Sequence, residues 1–239
     1  MPRVLRIGHR GAAGHAPENT LAAVRQGIEL GVDFVEIDVR RTADGVLVAL
    51  HDATVNRTTN GRGRVEALSL GEVRKLDAGN GERIPTVEEV LQMAGRRTGL
   101  MLELKVDGLA HLTVQTVQKV QLDTPVIYAS FLHKELTYVR AVETEAALMV
   151  LFDRLPRAPV PYAMQYQPEY VGLRHDRATG PLVDAFHREN VMVWVYTANS
   201  VADIARAISI GVDGVISNFP ERIPSGNCQT CPCSPRTMG

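Results

Sequence analysis

The chain is expected to be an α/β protein that closes a (β/α)8 barrel, and three observations carry that expectation. Short apolar strand-like runs alternate with helix-like stretches almost throughout, and such alternation implies a parallel sheet. Roughly eight βα units fit into the 239 residues, a length at which such barrels form a single domain. Two segments also echo each other. GVDFVEID (31–38) and GVDGVIS (211–217) each end a helix with glycine and launch a strand after Val-Asp, the α-to-β joint of a repeating unit. A doubly wound open sheet is the rival, but no G-x-G-x-x-G follows a strand.

The elements follow in order. VLRIG (4–8) is a first apolar strand, and the helix over 19–30 starts at PENT, where Asn19 or Thr20 can cap it. FVEIDV (34–39) alternates as a strand does, and VLVALH (46–51) is a further apolar run. Residues 52–85, with NRTTNGRGRV and DAGNGERIP, are rich in Gly, Asn and charge; they read as an excursion at the barrel mouth with one short helix near 69–76. The next helix, 86–97, opens with a capping box, Thr86 with Glu89 three residues on and Pro85 just before. Strands at 100–105, 125–130, 147–152, 170–173, 191–196 and 214–217 then alternate with helices at 109–121, 133–143, 179–189 and 200–210. Residues 153–169 contain four prolines and read as a long irregular connection. The barrel domain is therefore placed at 1–224, with 225–239 as a flexible tail.

Composition excludes several function classes. The net charge is −1, so no global field favours nucleic acid. No run of 18 or more apolar residues offers a membrane span, and MPRVLRIGHRG lacks a signal-peptide pattern, so a cytoplasmic protein without stable membrane insertion is expected. The three cysteines, Cys228, Cys231 and Cys233, all lie in the tail. They number one short of a zinc set and have no histidine near them. The composition leaves the oligomeric state open.

The chemistry concentrates at strand ends. In FVEIDV, Glu36 and Asp38 share a face with Phe34, while Val35, Ile37 and Val39 face the other way. In LMLELK, Glu103 and Lys105 share a face with Met101. Three inward carboxylates repel one another and lose hydration, and a cation removes both penalties. Oxygen ligands without clustered His or Cys suit a hard ion such as Mg²⁺, Ca²⁺ or Mn²⁺. The competing reading pairs these carboxylates only with Arg10, Arg40 or Lys105. His9 follows LRIG and His51 follows VLVAL, so each is expected at the catalytic end of a βα unit. Two imidazoles there can serve as general acid and general base. Asp52 is a weak candidate to orient His51, because adjacent side chains usually diverge. Arg10 offers a planar fork of donors suited to phosphate. His15, His111, His133, His175 and His187 are read as surface or packing residues, His15 least firmly because it lies in the active-face loop.

Taken together, IGHRGAAGHAPENT, VEIDVRRTADGVLVALHD, NRTTNGRG, ERIPTVEEVL, LELK and GVDGVISNFP resemble the glycerophosphodiester phosphodiesterases of the bacterial cytoplasmic type. They occur in the family's order over residues 7 to about 223. The resemblance implies a TIM barrel that hydrolyses a small-molecule glycerophosphodiester to glycerol 3-phosphate and an alcohol. It implies a divalent metal, Mg²⁺ or Ca²⁺, on Glu36, Asp38 and Glu103. His9 and His51 would be the acid–base pair, with Arg10 and Lys105 on the phosphate. Two departures stand out. The family's Trp-Thr-Val-Asn is VYTAN here, with Tyr196 in the tryptophan position and Trp194 two residues earlier; Ser217-Asn218 replaces a Thr-Asp. Both are expected to touch the pocket rim or last strand; the candidate pocket residues are Phe131, Trp194 and Tyr196. The excursion after His51 looks short for the family, so a more open pocket with looser headgroup selection is expected. Two other functions fit the same site. Lysophospholipase D activity would use an apolar rim of Phe131, Leu132, Tyr162, Met164 and Tyr166; a phosphate-ligand binding protein would bind without turnover.

Overall fold

The computed structural model describes residues 3–225, so the cysteine cluster of the tail lies outside the described residues. The described residues form nine strands: β1 (Leu5–Gly8), β2 (Phe34–Arg41), β3 (Leu47–Ala49), β4 (Gly99–Leu104), β5 (Val126–Ser130), β6 (Ala147–Phe152), β7 (Tyr170–Arg174), β8 (Met192–Tyr196) and β9 (Gly214–Ser217). Eight of them, all but β3, pair in parallel in chain order. β1 pairs with both β2 and β9, with Ile7 opposite Phe34 on one side and Ile216 on the other, and this closes the barrel. Helices α1 (Leu21–Glu29), α2 (Leu70–Val73), α3 (Val87–Ala94), α4 (Ala110–Val120), α5 (His133–Val142), α6 (Pro159–Met164), α7 (Gly180–Arg188) and α8 (Val201–Ser209) connect the strands. Thr20 caps α1 by accepting from Ala23 N, and Thr86 and Glu89 form the expected capping box on α3.

Period-two alternation divides the apolar residues into two cores. Val35, Ile37, Val39, Leu100, Leu102 and Leu104 point outward to the helices. Ile7, Phe34, Met101, Met149, Trp194 and Ile216 fill the barrel interior. The repeated Val-Asp joints have a defined job. Asp33 accepts from Arg6 N at 2.8 Å and Asp213 from Val193 N at 2.7 Å, so each aspartate satisfies a backbone donor at the start of a neighbouring strand.

Two expectations are corrected. The run 46–51 supplies no barrel strand: β3 runs antiparallel to the end of β2, with Val39 opposite Ala49 and Arg41 opposite Leu47. The short link after Arg41 dictates this, since a parallel crossover needs about a dozen residues and a hairpin only a few. Val48, Leu50, Val55, Val65, Val73 and Ile84 form a small core of their own beneath this excursion. The proline-rich connection, expected to be irregular, contains α6, with proline in its first turn. Proline there loses only an N–H that no helix would pair, and its fixed φ suits the helix.

Candidate active site at the barrel mouth

Adjacent parallel strands place the three carboxylates together. Asp38 on β2 is in direct register with Glu103 on β4, and Glu36 lies one inward position below Asp38. Ligand oxygens of all three lie within 4.8 Å of one another, and all three side chains are buried. Asn19 holds Asp38 from behind: its Nδ2 donates to Asp38 Oδ2 at 2.8 Å and its Oδ1 accepts from Asp38 N at 3.1 Å. Asn19 manages this with a left-handed backbone (φ 56°), which asparagine tolerates better than most residues.

Two cations enter the cluster. Arg10 Nε and Lys105 Nζ each lie 3.3 Å from an oxygen of Asp38, and Lys105 also pairs with Glu103. Among the described residues, Glu36 has no arginine or lysine side chain against it, and only His9 Nε2 approaches it, at 4.0 Å. Its Oε2 accepts from the Arg10 backbone at 2.7 Å, while Oε1 is buried with no hydrogen-bond partner among the described residues. Burial, then Asp38 and Glu103, drive the Glu36 carboxyl well above its ordinary range. Burial and Asp38 push Glu103 up to about 7 against the pull of Lys105. Burial would raise Asp38 as well, but Lys105 and Arg10 outweigh it and hold Asp38 below its ordinary value. The competing salt-bridge reading thus accounts for two carboxylates and leaves the third uncompensated. That surplus, on hard oxygen donors, fits a divalent cation.

The two histidines face the same cavity with different support. His9 ends β1, and its Nδ1 donates to Asn218 Oδ1 at 2.6 Å. Burial, then Arg10, pushes its pKa down to about 4. His51 arrives by the hairpin: Leu50 N donates to Asp38 O at 2.9 Å, so the returning chain is pinned beside the carboxylates. His51 Nδ1 donates to Asp52 Oδ1 at 2.7 Å, which gives Asp52 the orienting role that adjacency argued against. Asp52 is itself held by Arg57, whose Nε and Nη2 donate at 2.8 and 3.1 Å. The same guanidinium donates to both oxygens of Glu18 at 2.7 and 2.8 Å, and Glu18 accepts from Arg10 Nη1 at 2.7 Å. A chain of charges therefore links His51 to Arg10 across the mouth. Next to Arg10, Gly11 holds φ 86°, and a Cβ there would sit 2.4 Å from the Ala23 backbone.

His9, Arg10, Glu36, His51, Glu103 and Lys105 line a cavity of about 200 Å³ together with Met101, Leu151, Thr197 and Ile216. Phe131 and Tyr196 form its aromatic wall, edge to face at 5.7 Å, with Lys105 Nζ 5.8 Å from the Phe131 ring centre. Trp194 is not part of it. The indole is fully buried lower in the barrel, 5.1 Å from Phe34 and 5.2 Å from Tyr170, because inward positions two residues below a strand end belong to the interior. The proposed apolar rim does not assemble either. Tyr162, Met164 and Tyr166 pack on the outer core, and Tyr162 and Tyr166 stack around His133. His133 is a packing residue, and His15 ties the first loop to the last through Glu221 and Phe219. Asn218, expected at the pocket rim or last strand, directly follows β9 and there holds His9. Asn19, Glu18, Arg57 and Asn218 were not foreseen in these roles; APENT and NRTTNG contain three of them.

Carboxylates able to hold a hard cation, two imidazoles and fixed positive charge meet at one cavity, a combination suited to a hydrolase acting on phosphate esters. The chain belongs to the glycerophosphoryl diester phosphodiesterase family, whose sequence model matches residues 9–222, and it is a phosphoric diester hydrolase of that class. It is 33% identical over 234 residues to a glycerophosphodiester phosphodiesterase of Caldanaerobacter subterraneus subsp. tengcongensis, covering 92% of this chain and 96% of that one. The Oleispira antarctica phosphodiesterase, solved in complex with the product sn-glycerol-3-phosphate, superposes with a TM-score of 0.86 at 30% identity, covering 93% of this chain and 95% of that one. The glycerophosphodiester phosphodiesterase of Agrobacterium tumefaciens gives a TM-score of 0.80 at 28% identity, with coverages of 93% and 99%. Among the described residues no helix is long and apolar enough to cross a membrane.

Proposed function

We propose that the protein hydrolyses glycerophosphodiesters to glycerol 3-phosphate and an alcohol, with Glu36, Asp38 and Glu103 holding a divalent metal and His9 and His51 transferring protons. The observation that carries this reading is the uncompensated third carboxylate, placed in one cavity with both imidazoles and both cations. The product bound to the Oleispira antarctica enzyme supports the choice of substrate. A bound Mg²⁺, Ca²⁺ or Mn²⁺ would polarise a phosphate oxygen and acidify a nearby hydroxyl.

The chain's own groups do the rest. Arg10 and Lys105, now turned toward Asp38 and Glu103, bind the phosphate and stabilise the charge that grows on it. With its Nδ1 proton given to Asn218, His9 keeps Nε2 free to accept the proton of the attacking hydroxyl, from water or the glycerol 2-position. Asp52 stabilises the imidazolium of His51, which protonates the departing alkoxide as its bond to phosphorus breaks. Release of glycerol 3-phosphate from a panel of glycerophosphodiesters tests this, with EDTA, then each metal restored, beside His9→Ala. Metal-dependent release that His9→Ala abolishes is the expected result. Absence of release with every metal and headgroup would overturn it.

A further inference from the structure

The catalytic cavity, at about 200 Å³, lies below the range of roughly 300–1,000 Å³ usual for pockets that enclose a whole ligand. It has room for glycerol phosphate, and the leaving alcohol must extend beyond it. A larger cavity of about 490 Å³ lies next along the barrel mouth, lined by Asp153, Arg154, Leu155, Arg174 and Arg177. The two are contiguous in the fold. Leu151 on β6 lines the first, and Asp153, two residues on, lines the second. Tyr196 walls the first and is in register with Arg174 on β7, and its hydroxyl donates to Phe152 O at 2.7 Å.

Arg174 is the last inward position of β7, above Tyr170 and Gly172, as Tyr196 is on β8. Residues at that level of a barrel touch ligands. Asp176 grips its guanidinium from one side, accepting from Nε at 3.1 Å and Nη2 at 2.9 Å, and Asp153 lies 3.5 Å from Nη1. Arg177 Nε is 3.9 Å from Asp176, and Arg154 makes no ion pair among the described residues. Three arginines face two aspartates, so the cavity carries surplus positive charge in a chain whose net charge is −1. Guanidinium forks match a phosphomonoester in shape and charge, and repel a quaternary ammonium.

We infer that this second cavity is a headgroup subsite that selects glycerophosphodiesters whose alcohol carries a further phosphate. The inference rests on the proposed hydrolysis and adds the substrate class to it. The test compares glycerophosphoinositol with glycerophosphoinositol 4-phosphate, which differ only in that group. The wild-type protein should show kcat/KM about tenfold or more in favour of the phosphorylated substrate at low salt. Arg154→Ala combined with Arg177→Ala should bring the ratio toward one, and the single charge reversal Arg154→Glu, at an exposed position, should do so independently. Equal wild-type turnover of the two substrates would overturn the subsite and leave the hydrolysis standing. So would a preference that survives both variants. No release from either substrate would overturn the underlying reaction itself.

Discussion

His9 and His51 look into one cavity from two unlike settings. His9 is anchored at the end of a barrel strand, its side chain only 18% exposed, and its partner is an amide 209 residues away. His51 is 35% exposed at the end of a hairpin, and its partner is the carboxylate of the next residue, braced by Arg57 and Glu18. An amide oxygen fixes a tautomer without adding charge. A carboxylate fixes the tautomer and also stabilises the imidazolium. The two rings are therefore not interchangeable, and in the proposed reaction this difference is what makes His9 the base and His51 the acid.

The largest effects come from removing the rings. His9→Ala and His51→Ala should each lower kcat by ~10²–10⁴-fold, the range for general acid–base groups. A substrate whose alcohol leaves without protonation, a nitrophenyl ester of glycerol phosphate, separates their roles. It should restore most of the rate to His51→Ala and little to His9→Ala. Recovery by His9→Ala instead would exchange the two assignments.

Changing the partners is gentler. A hydrogen bond to a charged group contributes roughly 1.5–3 kcal/mol, so Asp52→Asn should lower kcat by ~10–100-fold. Asn218→Asp places a carboxylate behind His9 and should raise its pKa from about 4. The base form then survives only at higher pH, so the acidic limb of kcat/KM moves upward. A limb that stays in place would show that Asn218 does not set the protonation of His9.

The carboxylate triad gives a prediction in stability. With its folded pKa pushed up to about 7, Glu103 binds a proton in the folded state at pH values where the unfolded group, near 4.5, is ionised. In metal-free protein Glu103 therefore contributes stability that grows as pH falls from about 8 toward 5, while His9, with its pKa pushed down to about 4, works in the opposite direction. The Glu103 contribution is read as the difference in thermal unfolding between wild type and Glu103→Gln, which should widen as pH falls. The same variant should lose most of the stabilisation that added metal gives the wild type. A metal-induced rise in Tm that survives Glu103→Gln would remove Glu103 from the ligand set.

The same contrast explains what the sequence made legible. Strand periodicity sufficed for Glu36, Asp38 and Glu103, because inward positions on neighbouring parallel strands meet at the same level. His9 and His51 were legible as strand-end histidines, although β3 belongs to a hairpin; chain length between strands, not apolar content, decides which way a strand pairs. Asn218 could not be paired with His9 by spacing, since the contact exists only once β1 and β9 close the barrel. Trp194 shared the correct face with Tyr196, but depth along a strand is invisible to a two-residue period. The links among Glu18, Arg57 and Asp52 span up to 39 residues and depend on how the excursion folds back.

Arg57 should produce the smallest effect, and its size tests how the hairpin side works. Its side chain is 48% exposed, and solvent screens exposed ion pairs to about 0.2–1 kcal/mol each. Asp52 still reaches His51 without it. Arg57→Ala should therefore lower kcat only ~2–5-fold, an order less than Asp52→Asn. Arg57→Lys should recover little of that, because one ammonium cannot supply the fork that grips Asp52 and Glu18 together. Measured side by side, Arg57→Ala matching Asp52→Asn would mean that the carboxylate cannot hold the ring alone. The braced excursion, rather than the next residue in the chain, would then be what positions His51.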